Sequence, residues 1–164
     1  MKKFIAVIGP QNSGKTTIIR SLAGCRTTVY RDWIIDESNQ KCLYVISGSP
    51  QELKWNQYFD IQTFKKILDD VIANNNCLGL VMAIQPRTPR GRNSMEDYFE
   101  VVHNRPSFES FAFLLNPIRN GNTQQVNDIQ IKLNRYAPRI EQLDARRFAY
   151  LNATRIQEIT HIIS

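Results

Sequence analysis

Short apolar segments alternate along this chain with longer segments in which apolar residues recur every three or four positions. The short segments predict buried strands at 4–8, 78–84, 111–115 and 148–151. The periodic segments predict amphipathic helices over 15–23, 61–72, a short stretch from Ser94, 126–136 and 156–163. This alternation predicts an α/β fold in which helices cover both faces of a mostly parallel sheet.

Two further strand-like segments, at 27–36 and 42–47, stand close together in the chain. A parallel crossover needs about a dozen residues or more, so we predict that these two strands pair antiparallel as a hairpin. No internal repeat or long linker interrupts the 164 residues, and we expect a single domain over 1–164. The predicted fold class is therefore a three-layer α/β sandwich with a mostly parallel sheet and one antiparallel hairpin strand.

Residues 9–16 read Gly-Pro-Gln-Asn-Ser-Gly-Lys-Thr and match the phosphate-binding pattern G-x-x-x-x-G-K-[ST] at each specified position. Gly9 and Gly14 let successive backbone N–H groups turn towards an anion. Lys15 can neutralise the β- and γ-phosphates, and the Thr16 hydroxyl is placed to ligate Mg²⁺. We predict a site for ATP or GTP with Mg²⁺, with Lys15 also a catalytic candidate, formed by Gly9, Pro10, Gln11, Asn12, Ser13, Gly14, Lys15, Thr16 and Thr17.

The ends of the other strands bear on whether a bound nucleotide is hydrolysed. The end of the returning hairpin strand should lie beside this loop, but residues 47–52 read Ser-Gly-Ser-Pro-Gln-Glu, with no Asp where the carboxylate that normally holds Mg²⁺ is expected. Ser47 is a candidate for hydrogen-bonding a metal-bound water, and Asp60 is predicted to cap a helix. Asp36 and Glu37 are expected at the hairpin turn, at the opposite end of the sheet. We therefore predict weak or absent hydrolysis.

The order of a strand, a phosphate-binding loop, a helix, a hairpin and further strand–helix units resembles the Ras-like G domain of small GTPases. The opening IGPQNSGKTTIIRSL is similar to bacterial members of that family. The resemblance implies a P-loop NTPase fold of Ras-like layout. It also implies that Asn116 and the segment 152–154 contact the base, and that Thr27 or Thr28 closes on the metal.

Positive charge is in excess, with 21 Lys and Arg against 15 Asp and Glu, which suits an anionic partner. Part of that excess lies in the loop 85–93, which carries Arg87, Arg90 and Arg92. Guanidinium groups bind phosphate oxygens in bidentate pairs. The loop is therefore interpreted as a lid over a transferred phosphoryl group with Arg90 as a catalytic candidate, as a contact surface for nucleic acid or an acidic protein, or as a solvated loop.

Three functions follow from these residues. The first is a nucleoside-triphosphate-binding protein that acts as a switch or regulator of a protein partner. The second is a small P-loop phosphotransferase with an arginine lid, which needs a carboxylate such as Asp32 or Asp36 near the site. The third is a non-catalytic pseudo-GTPase that binds an acidic partner or, less favoured, nucleic acid.

The apolar runs, the cysteines and the aromatic residues indicate in which compartment the protein is expected and how its core packs. No apolar run reaches the ~20 residues that span a bilayer, so no membrane association is expected. Cys25, Cys42 and Cys77 lie at spacings unlike a metal site and are expected as free thiols of a cytoplasmic protein. Trp33, Trp55, Tyr58 and Phe59 are expected to pack in the core or against the hairpin.

Overall fold

A computed structural model describes residues 1–24, 31–36, 40–116 and 123–162. Its strands are β1 (Lys2–Ile8), β2 (Arg31–Asp36), β3 (Lys41–Ile46), β4 (Cys77–Ile84), β5 (Phe108–Asn116) and β6 (Arg139–Asp144). Its helices are α1 (Lys15–Ala23), α2 (Ile61–Ala73), α3 (Met95–His103), α4 (Thr123–Leu133) and α5 (Ala149–Thr160), and a 3₁₀ turn (Asn134–Tyr136) follows α4.

The six strands form one sheet in the order β2-β3-β4-β1-β5-β6. The pair β2–β3 is antiparallel, with Asp36 opposite Lys41, and every other neighbouring pair is parallel. These pairings confirm the predicted α/β class with one antiparallel hairpin strand. Asp36 ends β2 opposite the first residue of β3, and it therefore lies at the end of the sheet far from the loop 9–16.

Side chains alternate across the sheet and build two cores, one against each layer of helices. Phe4, Ala6 and Ile8 of β1 face the core that includes α2, α3 and α4. Ile5 and Val7 face the second core, which includes α1 and α5. This period of two is the expected consequence of a strand buried on both faces, and it produces the three layers.

The end of β3 lies beside the loop 9–16, as expected, since Thr16 contacts Ser47. The strand order, however, differs from the Ras-like layout, which pairs this strand directly with the one before the loop, because here β4 lies between β1 and β3. The Ras-like layout is therefore wrong for this sheet. β4 is buried on both faces over nearly all of its length, whereas β3 begins at the exposed Lys41, so the more apolar strand takes the central place.

The prediction of a last strand at 148–151 is also wrong. The last strand is Arg139–Asp144, while Phe148 is 72% exposed just before α5 begins at Ala149. β6 lies at the edge of the sheet, and its sequence is mostly polar because only one side of it packs on the protein. The apolar pattern thus predicts a strand at 148–151, where the apolar side chains lie at the surface, and it does not detect the polar edge strand β6.

Gly79 sets how closely β1 and β4 approach. A Cβ at this position would lie 2.0 Å from the carbonyl oxygen of Lys3 on β1. We expect Gly79→Ala to lower the free energy of unfolding in urea by about 1–3 kcal/mol, because the two central strands must separate to admit the methyl group. Glu109→Ala, an exposed position that pairs with Lys3 from the other side, is the matched control. An equal change in both variants would contradict this packing constraint.

Candidate functional site

The loop between β1 and α1 curls back on itself. Asn12 and Gly14 have left-handed backbones, with φ of 61° and 94°. The Ser13 N–H donates to the Pro10 carbonyl at 3.3 Å. The Gly9 N–H donates to the carbonyl of Ile84 at 3.2 Å, which joins the loop to the end of β4. A Cβ at Gly9 would lie 2.5 Å from the Ser13 hydroxyl oxygen, so any larger residue there would displace the Ser13 side chain.

Lys15 begins α1 and is only 3% exposed. Its ammonium donates to the Pro10 carbonyl at 2.7 Å and to Glu52 Oε1 at 2.9 Å. Burial lowers the pKa of Lys15, and the carboxylate of Glu52 opposes that shift. The loop therefore holds a cation away from water with one carboxylate to balance it.

Thr16 and Ser47 lie together, as the sequence predicts. The Thr16 hydroxyl donates to the backbone carbonyl of Ser47 at 2.6 Å. Although β4 intervenes in the sheet, the segment after β3 thus still reaches the first turn of α1. Ser47 makes this contact through its backbone carbonyl oxygen, whereas the sequence predicts a contact through its side-chain hydroxyl.

A cavity of about 330 Å³ opens at the start of α1. Its lining consists of six loop and helix residues together with Glu52, namely Asn12, Ser13, Gly14, Lys15, Thr16, Thr17 and Glu52. Gly9, Pro10 and Gln11, also predicted for the site, shape the loop but lie outside this lining. The Ser13 hydroxyl oxygen is buried and makes no hydrogen bond among the described residues. This oxygen lies against Gly9 on the inner side of the loop, where a Gly9 Cβ would meet it.

Glu52 is the residue that sequence reasoning missed, and the expectation that no carboxylate lies at this edge is wrong. The N–H groups of Glu52 and Leu53 donate to the Ser49 carbonyl at 2.9 and 3.1 Å, which forms a turn directly after β3. This turn brings Glu52 back to Lys15. The available signal was the turn-forming Ser-Pro pair at 49–50, which reverses the chain before the acid.

Asn116 lies at the end of β5 and connects it to β6. Its side-chain amide donates to Gln142 Oε1 at 3.1 Å, and its carbonyl accepts from the Ala145 N–H at 3.1 Å. Asn152 and Ala153 are buried within α5, and the Asn152 amide donates to the Asp144 carbonyl. Base contact by 152–154 and by Asn116 stays a prediction.

The arginine loop divides into one packed and two exposed side chains. Arg92 donates to the Pro50 carbonyl at 2.7 Å, and its guanidinium lies 4.5 Å from the Trp55 ring centre. Arg87 and Arg90 are exposed. None of the three lines the cavity at Lys15. Arg92 therefore has a packing role in place of the predicted phosphate clamp, and the catalytic role of Arg90 stays a prediction.

The loop 85–93 is fastened to the segment after β3 by side-chain amides. Gln51 accepts from the Gln85 N–H at 3.2 Å and donates to the Asn93 carbonyl at 3.3 Å. Asn93 in turn accepts from the Tyr58 hydroxyl at 2.9 Å. The turn that carries Glu52 and the arginine loop thus form one hydrogen-bonded unit.

Some predicted residues lie outside the described ranges, among them Cys25, Thr27, Thr28 and Glu37. Cys42 and Cys77 are free and buried, and burial raises the pKa of the Cys77 thiol to about 11. Among the residues that the structure describes, no group of three or more His, Cys, Asp or Glu side chains is placed to hold a metal. In the same part of the chain, no helix has the length and apolar character needed to cross a bilayer.

Comparison with known proteins assigns no family. No protein-family model matches the chain, and a search of curated proteins finds no match to it.

The pairing of Glu52 with Lys15 predicts a measurable cost when the acid is neutralised. We expect Glu52→Gln to lower the free energy of unfolding at pH 7 by about 1–3 kcal/mol, because the Lys15 charge stays buried without its counter-ion. The loss should shrink as pH rises towards 10.5, the ordinary pKa of lysine, since the folded variant then releases its proton before the unfolded chain does.

Urea unfolding across this pH range measures the effect. Asp69→Asn, which breaks an exposed ion pair with Arg105, is the control and should cost at most about 1 kcal/mol. The double variant Lys15→Met/Glu52→Gln should recover part of the loss, because it removes both charges. Equal losses for Glu52→Gln and Asp69→Asn would contradict a specific Lys15–Glu52 interaction.

Proposed function

We propose that this chain is a P-loop protein that binds ATP or GTP with Mg²⁺, hydrolyses it slowly or not at all, and acts as a switch or regulator of a protein partner. The observation that carries the proposal is the nearly complete burial of Lys15 at the start of α1, against a cavity and beside one carboxylate. Burying an ammonium is costly unless it is paired, and a phosphate supplies a stronger partner than one carboxylate.

The other groups around the cavity fit a triphosphate chain. The N-terminus of α1 directs its free N–H groups and positive end of the helix dipole towards the cavity, and α1 has no side-chain cap that would use those donors. On binding, the phosphates would replace Glu52 as the partner of Lys15.

The donors near Thr16 fit Mg²⁺, which prefers oxygen ligands and keeps several waters. The Thr16 hydroxyl and the Ser47 carbonyl already lie 2.6 Å apart, and Glu52 lines the same cavity. Thr16 would ligate the metal directly, while Ser47 and Glu52 would hold its waters. The bound Mg²⁺ would supply positive charge to the β- and γ-phosphate oxygens.

The described residues that line the cavity support slow hydrolysis of the bound nucleotide. An arginine directed at the transferred phosphoryl group is worth about 10³–10⁵ in rate in P-loop proteins, but among the described residues no arginine lines this cavity. Gln51 is not free to orient a water, because both ends of its amide are bonded to the loop 85–93. Phosphotransfer is less well supported, since Asp36 lies opposite Lys41 at the far end of the hairpin and Asp32 lies on the edge strand β2, separated from β1 by β3 and β4.

Nucleotide binding predicts a specific dependence on Lys15. We expect calorimetry to detect MgATP or MgGTP binding to the wild type, and Lys15→Ala to weaken it at least about tenfold because charge-assisted phosphate contacts are lost. Lys54→Ala, an exposed lysine outside the cavity, is the matched control and should bind as the wild type does. No binding to the wild type, or equal affinity in all three proteins, would contradict the proposal.

Metal ligation by Thr16 predicts an effect that depends on Mg²⁺. We expect Thr16→Ala to weaken nucleotide binding when Mg²⁺ is present and to change it little in EDTA, because the hydroxyl acts on the phosphates through the metal. Phosphate release by the wild type should stay below about 10⁻² per second, in the range of P-loop switches without added stimulation. A Thr16→Ala effect of the same size in EDTA would exclude this role.

A further inference from the structure

Trp55 is held in a fixed position at the surface although 66% of it is exposed. The Arg92 guanidinium lies 4.5 Å from its ring centre, and the Tyr58 ring packs edge-on at 5.7 Å. A Cβ at Gly91 would come within 3.5 Å of the indole, so the turn at 90–92 also lies against it. The expectation that Trp55 belongs to the core or the hairpin is therefore wrong, and the ring contacts on its protein side make it a rigid exposed group.

Hydrogen bonds fix the residues that support Trp55. Arg92 donates to the Pro50 carbonyl at 2.7 Å, and the Tyr58 hydroxyl donates to Asn93 Oδ1 at 2.9 Å. The Asn93 N–H donates back to the Tyr58 oxygen at 3.1 Å. Since these groups are already ordered, a partner that contacts Trp55 loses little additional conformational entropy.

The surroundings of Trp55 are basic. Lys54 precedes it in the chain, and the turn that touches it carries the exposed Arg90, with Arg87 three residues earlier. Of the acids close in the chain, Glu52 pairs with Lys15, while Asp60 and Asp97 cap α2 and α3 and keep their charge. A local excess of basic side chains around a rigid apolar ring is complementary to a segment that places carboxylates beside an apolar side chain.

We propose that Lys54, Trp55, Arg87, Arg90 and Arg92 form a docking surface for an acidic protein segment with an apolar anchor residue. Trp and Arg side chains at the centre of a polar rim are common hot-spot residues, which contribute most of the binding free energy of protein interfaces. Proteins that bind single-stranded nucleic acid instead stack successive bases on several rings along a basic groove, whereas this surface offers one exposed ring. The observations therefore favour a protein partner.

A library of random twelve-residue peptides displayed on phage, selected on the immobilised wild type, tests this surface. We expect the enriched peptides to combine acidic residues with an aromatic or aliphatic residue. Synthetic copies should lose at least about tenfold in affinity for Trp55→Ala and for Arg90→Glu, measured by fluorescence anisotropy. The matched controls are Ile131→Ala, an equally exposed apolar residue on α4, and Arg147→Glu, an exposed arginine after β6, three strands away from β4, and both should bind as the wild type does.

Three results would overturn the proposal. They are a selection that enriches no sequence, enriched peptides without acidic residues, and peptides that bind Trp55→Ala as tightly as the wild type. A twelve-nucleotide thymidine oligomer is tested in parallel, and quenching of tryptophan fluorescence by it in the wild type but not in Trp55→Ala, with no peptide binding, would assign the surface to nucleic acid instead. MgATP and MgGTP binding by Trp55→Ala, measured alongside, keeps this outcome separate from the proposed function, because Trp55 lies outside the cavity at Lys15.

Discussion

The charge of Lys15 is the constraint on which this site depends. Its ammonium is buried by the loop that follows β1, and such a charge needs oxygen partners in fixed positions. Pro10 supplies one from within the loop, and Glu52 supplies the other from the segment after β3. The curled loop and the turn at 49–53 therefore each supply one oxygen that accepts a hydrogen bond from the Lys15 ammonium.

The turn that carries Glu52 also belongs to a larger hydrogen-bonded unit. Gln51 and Arg92 join it to the loop 85–93, and the same segment continues to Trp55 three residues after Glu52. The cavity at Lys15 and the exposed tryptophan surface thus share one short stretch of chain. A ligand that displaced Glu52 from Lys15 would act on the segment that supports Trp55, although each site can be tested without the other.

Strands, helix caps and the hairpin depend on residues close in the chain and could be predicted from the sequence. Strand order and contacts between distant segments could not. The strand at 4–8, the capping Asp60 and Ser94, and the hairpin follow from residues close in the chain, and the structure contains them. The place of β4 between β1 and β3 depends on competition among apolar strands for the centre of the sheet, which no single segment reveals. Glu52 reaches Lys15 through a turn, and the exposure of Trp55 depends on where its loop packs.

The most direct measurement of the central claim is the pKa of the Lys15 ammonium by NMR, with and without MgATP, MgGTP or inorganic tripolyphosphate. In the free protein burial lowers the pKa of Lys15 below that of an ordinary lysine. A bound phosphate chain places more negative charge beside the ammonium, so the account predicts that the pKa of Lys15 rises when any of these anions binds. An ordinary pKa in the free protein, or one that none of the anions changes, would contradict it.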